Sequence, residues 1–155
     1  MLTALKNIFA EISGGGAAVS ALSEQHQLRT AVAALLHEMM RVDAQQKPEE
    51  ARTAVAALTG MFGLPEREAQ ALLDEAGAQR LTSYFDPASA IKRVLSLEQR
   101  IVLVENLWRV AFADAELDIY EDQFVRRIAD LLYVPNTECM LARRRAKGAE
   151  DQRQD

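Results

Sequence analysis

Two segments of the chain, Leu36 to Ala44 and Leu107 to Ala115, show the same design once Asp43 is set against Asp114. In each half a long apolar helical run ends in an Asp-Ala loop, and a second helix begins a few residues later. That helix closes on an aromatic residue and then a proline: Phe62-Gly63-Leu64-Pro65 in the first half, Tyr133-Val134-Pro135 in the second. Neither helix pair can bury its apolar face alone, and the simplest remedy is to pack the halves against each other about a pseudo-two-fold axis. The repeat predicts an all-α fold, a compact bundle of about seven or eight helices formed from two pseudo-repeated helical halves.

Composition supports this and narrows the function. Ala, Leu, Glu, Gln and Arg dominate, with seven Gly and four Pro, and no β-branched residues alternate with polar ones, so helix is favoured almost throughout. A chain of 155 residues suits one domain, and 49% hydrophobic with 26% charged residues is the composition of a folded protein. A net charge of −5 argues against a general nucleic-acid binder, which needs a basic field to draw phosphates. Cys139 is the single cysteine, so no internal disulfide forms, and with two histidines a Cys/His zinc site is out of reach. No apolar run approaches the roughly 20 residues that span a bilayer, and the N-terminus lacks the basic and apolar regions of a secretion signal. The expectation is a cytoplasmic protein without stable membrane insertion.

Along the chain, Leu2, Leu5, Ile8, Phe9 and Ile12 recur at helical spacing until Gly14-Gly15-Gly16 stops them, an amphipathic helix over residues 1–13 expected to pack on its own domain. A long helix follows from Glu24 to Val42. Pro48 and Pro65 open two more, Asp86-Pro87 supplies an N-cap and first-turn proline for a short one, and Ser96 with Gln99 has the spacing of a capping box. Further helices run from Ile119 to Tyr133 and from near Asn136. The helical domain therefore spans 17–147, and residues 148–155 read as a polar, fraying tail.

Five carboxylates fall between Asp114 and Asp122, and an oxygen-rich loop of this kind holds a hard cation such as Ca²⁺ or Mg²⁺. Asp114, Glu116, Asp118 and Glu121 are the candidate ligands, with Asp43 and Glu50 as a weaker set in the first half, where glutamines and a lysine replace acids. The competing reading makes Asp118 an N-cap and Glu121 its partner three residues on, since first-turn carboxylates favourably meet the helix dipole. The loop is no EF-hand: it is too short and lacks the turn glycine and the bidentate glutamate. Glu38 and Arg109, five residues before the aligned aspartates, are candidates for an ion pair across the halves. His26 and His37 share a helix face without a nucleophile or carboxylate motif. Cys139 reads as a half-buried thiol, and Arg143-Arg144-Arg145 with Lys147 as a basic group near a helix end.

The chain resembles the TerB-like family of tellurite resistance proteins. The likeness rests on Met1-Leu2 with Leu5-Lys6, on Gly14 to Gly16, on Leu107-Trp108-Arg109-Val110-Ala111, on the acidic loop with Tyr120-Glu121, and on Arg126-Arg127-Ile128-Ala129-Asp130-Leu131-Leu132. The family's loop pattern, Asp-Gly-Glu-x-Asp-x-x-Glu, falls on Asp114, Glu116, Asp118 and Glu121, with Ala115 where glycine is usual; alanine resists the left-handed conformation that glycine accepts. The resemblance implies a helical fold shared with the N-terminal region of certain membrane-anchored J-domain co-chaperones, metal association, and a part in stress responses through protein contacts, without established catalysis. The expected function is a non-enzymatic interaction module with protein partners, a homodimer among them, and a divalent-cation site in the second acidic loop. The alternative is a metal-dependent hydrolase using the same carboxylates.

Overall fold

The structure is a computed structural model that describes the backbone of residues 16–42, 47–79, 85–114 and 117–154. The expected N-terminal helix over residues 1–13 lies outside these residues. Seven helices are described: α1 (Gly16–Val42), α2 (Pro48–Phe62), α3 (Glu66–Ala78), α4 (Phe85–Val94), α5 (Leu97–Ala111), α6 (Ile119–Leu131) and α7 (Asn136–Gln154), and no strand occurs among the described residues. The all-α class is as the composition demands. None of these helices is long and apolar enough to cross a membrane.

Local chemistry sets most boundaries. Pro48 starts α2, where its missing N–H costs no bond. The capping box of α5 is complete: the Ser96 hydroxyl accepts from the Gln99 backbone N–H at 3.2 Å, and the Gln99 side chain accepts from the Ser96 N–H at 2.8 Å. Pro65 is the N-cap of α3 rather than its first residue, α6 ends at Leu131 rather than Tyr133, and three boundaries differ further from the sequence expectation. α1 begins at Gly16 rather than Glu24, because the alanine-rich stretch between them carries no breaker. α4 begins at Phe85, so Asp86 lies in its first turn rather than capping it. α7 continues to Gln154 and takes in what reads as a tail, since Gly148 alone does not end a helix that nothing else interrupts.

The duplication is visible in three dimensions. α1, α2 and α3 touch one another as α5, α6 and α7 do, while α2 against α5 and α1 against α6 are matching cross-contacts between the halves. The long helices α1 and α5 meet in the middle, where Leu35, Leu36, Met39, Leu103, Leu107 and Trp108 are buried. α4 packs on α1 and α6 and ties the halves together.

The helix ends correct one alignment. α2 closes with Gly63 in the left-handed region (φ 66°), and α6 closes with Tyr133 there (φ 56°). After α6 the Tyr133 N–H donates to the Asp130 carbonyl at 3.0 Å and the Val134 N–H to the Ala129 carbonyl at 2.9 Å, a Schellman closure. Tyr133 is thus the counterpart of Gly63, not of Phe62. The backbone position that reverses the chain fixes the match, and Phe62 (5% exposed) and Tyr133 (73% exposed) share only aromaticity.

Candidate functional site

The two helices that follow the Asp-Ala loops start in the same way. Glu50 is the third residue of α2 and Glu121 the third of α6, and each turns inward while its predecessor, Glu49 or Tyr120, faces water. Both glutamates are 0% exposed, the two buried charged residues of the described chain. They meet across the interface of the halves, with the positive ends of α2 and α6 beside them.

Burial drives the Glu121 carboxyl up to about 8, and the nearby charges of Glu50 and then Asp114 add to the rise. The Asp118 backbone N–H favours the charged form, though neither Glu121 oxygen completes a hydrogen bond of ordinary geometry. Asp114 takes a partner from the other half: Lys47, immediately before α2, forms a salt bridge to it. The clasp therefore has two strands side by side, a carboxylate–ammonium pair and a carboxyl–carboxyl pair.

Of the four loop carboxylates expected from sequence as cation ligands, three are described, and each has a partner of its own. Asp118 Oδ1 accepts from the Tyr120 N–H at 2.6 Å and serves as the N-cap of α6. Asp114 is engaged by Lys47, Glu121 faces Glu50, and Glu116 and Asp43 lie outside the described residues. Among the described residues no three His, Cys, Asp or Glu side chains are grouped so as to hold a metal ion. What the site offers a hard cation is two buried carboxylates set against each other. The remaining oxygens of a Ca²⁺ or Mg²⁺ shell would have to come from elsewhere.

Glu50, ranked as weak on sequence, is central because the repeat places it in register with Glu121; the alignment of Asp43 with Asp114 carried that signal. Glu38 and Arg109 do not pair. Glu38 bonds Arg41 at 3.0 Å and Arg109 bonds Glu105 at 3.2 Å, each on its own helix, where a partner three or four residues away is already within reach.

The other candidates fall into structural roles. His37 packs against Gly77, and burial lowers its pKa, while His26 is exposed eleven residues earlier on α1. Cys139 is wholly buried rather than half-buried, and burial pushes its thiol up, away from the reactive thiolate. Two members of the basic cluster are engaged internally: the Arg143 guanidinium lies 5.5 Å from the centroids of Trp108 and Phe112, and Arg145 forms a salt bridge to Glu105, while Arg144 and Lys147 are exposed.

Comparison with known proteins follows from this architecture. The family model described as tellurite resistance protein TerB matches residues 29–144, three quarters of the chain and both halves of the repeat. The chain belongs to the TerB family. The match covers the Glu50–Glu121 clasp and leaves out the N-terminal segment and the last turns of α7. Searches of the curated proteins and of the solved structures found no match.

Proposed function

We propose that this TerB-family chain is a non-enzymatic, cytoplasmic interaction module in a stress response, whose halves are held by a carboxyl pair that takes up a proton or a divalent cation. The observation that carries the reading is the meeting of Glu50 and Glu121, both wholly buried, at equivalent positions of the two halves. A cation between them would relieve the like-charge repulsion that otherwise requires a proton.

Two features support an interaction role over hydrolysis. The carboxyl pair is closed off from solvent, whereas a metal-dependent hydrolase needs a carboxylate-bound ion open to substrate. A groove of about 1000 Å³ runs between α2 and α5 to the end of α7, past Thr53, Ala56, Gly60, Asn106 and Gln152. The small side chains of α2 leave room there for a protein segment.

Calorimetric titration of the full chain, freed of metal with a chelator, tests the cation part with Ca²⁺, Mg²⁺, Mn²⁺ and Zn²⁺ in turn. The expected result is saturable binding of one of these ions that Glu121→Gln abolishes and that releases protons at pH 7. Absence of heat with all four ions, or binding that survives Glu121→Gln, would reduce the clasp to a proton-sharing structural pair.

A further inference from the structure

Away from the clasp, α4 ends in Lys92 and Arg93, and Arg100 follows in the opening turns of α5. With Ser89 and Tyr133 these three cations line a depression of about 450 Å³ where α4, α5 and the end of α6 come together. No carboxylate among the described residues lines it, although the chain as a whole carries a net charge of −5. Elsewhere Arg41, Arg52, Arg109, Arg126 and Arg145 each have a carboxylate partner. Arg93 and Arg100 form no ion pair among the described residues.

Helix electrostatics explains only part of this. Cations in the last turn of α4 favourably meet its negative end, but Arg100 is the fourth residue of α5, near a positive end that disfavours it. Arg100 reaches across to donate from Nη1 to the Leu132 carbonyl at the end of α6, which sets the guanidinium beside Tyr133. Tyr133 is the second oddity. It occupies a left-handed position that its counterpart fills with glycine, and it is 73% exposed, so burial does not offset the conformational cost. What the tyrosine provides is a ring at the rim of the depression, 3.9 Å from the Lys92 ammonium.

We propose that this pocket binds a small phosphomonoester, its dianionic phosphate held by Lys92, Arg93 and the free edge of Arg100, with Ser89 donating a hydroxyl. Three cations in one depression match a dianion better than a monocarboxylate, and the Tyr133 ring offers a face to the organic part of the ligand. The size of the depression and the net charge of −5 of the chain favour a small molecule over a polyanion such as nucleic acid.

Amide NMR titration of the full chain at constant ionic strength tests it with three probes: adenosine monophosphate, inorganic phosphate and acetate. The expected result is saturable shifts at Ser89, Lys92, Arg93, Arg100 and Tyr133, tightest for adenosine monophosphate and absent with acetate. Arg93→Gln, an exposed position, should weaken binding about tenfold. Arg67→Gln, an exposed arginine on α3, should leave it unchanged. Tyr133→Gly should weaken adenosine monophosphate while leaving inorganic phosphate alone, and should raise the melting temperature. Equal affinity for inorganic phosphate and the ester would overturn the assignment of an organic ligand. Shifts that do not saturate, that spread over all basic residues, or that persist in Arg93→Gln would overturn the site.

Discussion

Glu50 and Glu121 hold the same helical position in the two halves of the chain and face each other, both wholly buried. Such a pair keeps one proton, because two adjacent carboxylates excluded from water repel strongly when both are charged. Its titration makes stability depend on pH. Glu121 rises from an ordinary 4.5 to about 8, so between those values the folded chain binds more protons than the unfolded one. Stability is therefore greatest below the lower value and declines as pH rises through the upper, by up to about 1.4 kcal/mol per pH unit per proton. Urea unfolding from pH 5 to 8 should show this decline. A curve that rises over that range would contradict the shared proton.

Replacing one member of the pair by its amide separates charge from packing. Glu121→Gln keeps the shape and removes the titration, so at pH 8 it should be more stable than the native chain by about 1 kcal/mol or more and should lose the pH slope. Glu121→Ala should be less stable than Glu121→Gln, because it opens a void where the helices converge. Equal stabilities for the two variants would show that the carboxyl makes no packing contribution.

How much of this was legible in the sequence depends on the range of the interaction. The repeat, the capping box at Ser96 and the N-cap at Asp118 are local patterns, and each appears as read. The clasp needs two facts at once: the repeat register, which is in the sequence, and the inward turn of the third residue of α2, which is not. Acidic density drew attention to the loop instead, yet Asp118 there is a cap and Asp114 is engaged by Lys47, 67 residues away. The Glu38–Arg109 pair failed because spacing to an aligned aspartate says nothing about nearer partners. The pocket at Arg93 had no sequence signal, since its lining comes from three separate helix ends.

Gly77 has a close-approach role that its sequence context hides. A Cβ placed there would lie 2.5 Å from His37 Nε2, so any side chain must displace the imidazole. Gly77→Ala should cost about 1–3 kcal/mol despite alanine's better helix propensity. Thermal unfolding of Gly77→Ala, His37→Ala and the double variant checks the cause: the second substitution should restore most of the loss, and purely additive effects would place the problem elsewhere.

The thiol of Cys139 should report on global unfolding. It is buried against α5, and burial holds it in the protonated form. A thiol-reactive dye should therefore label the native chain at the unfolding rate rather than at the rate of an exposed cysteine. Rapid labelling under native conditions would mean that the first turns of α7 open locally.

Arg143 seals the single tryptophan. Its guanidinium lies 5.5 Å from the Trp108 centroid and equally far from that of Phe112, while Nε sits 3.8 Å from Asp122 Oδ2. The contact combines apolar cover from the side-chain stem with a cation over two ring faces. Arg143→Met keeps the stem and drops the charge; Arg143→Ala drops both. If both terms act, methionine should lose about 0.5–1 kcal/mol and alanine more, and Trp108 emission should shift to longer wavelength in alanine as water reaches the ring. Full stability in Arg143→Met would assign the whole effect to packing and leave the guanidinium with no share in holding α7 on α5.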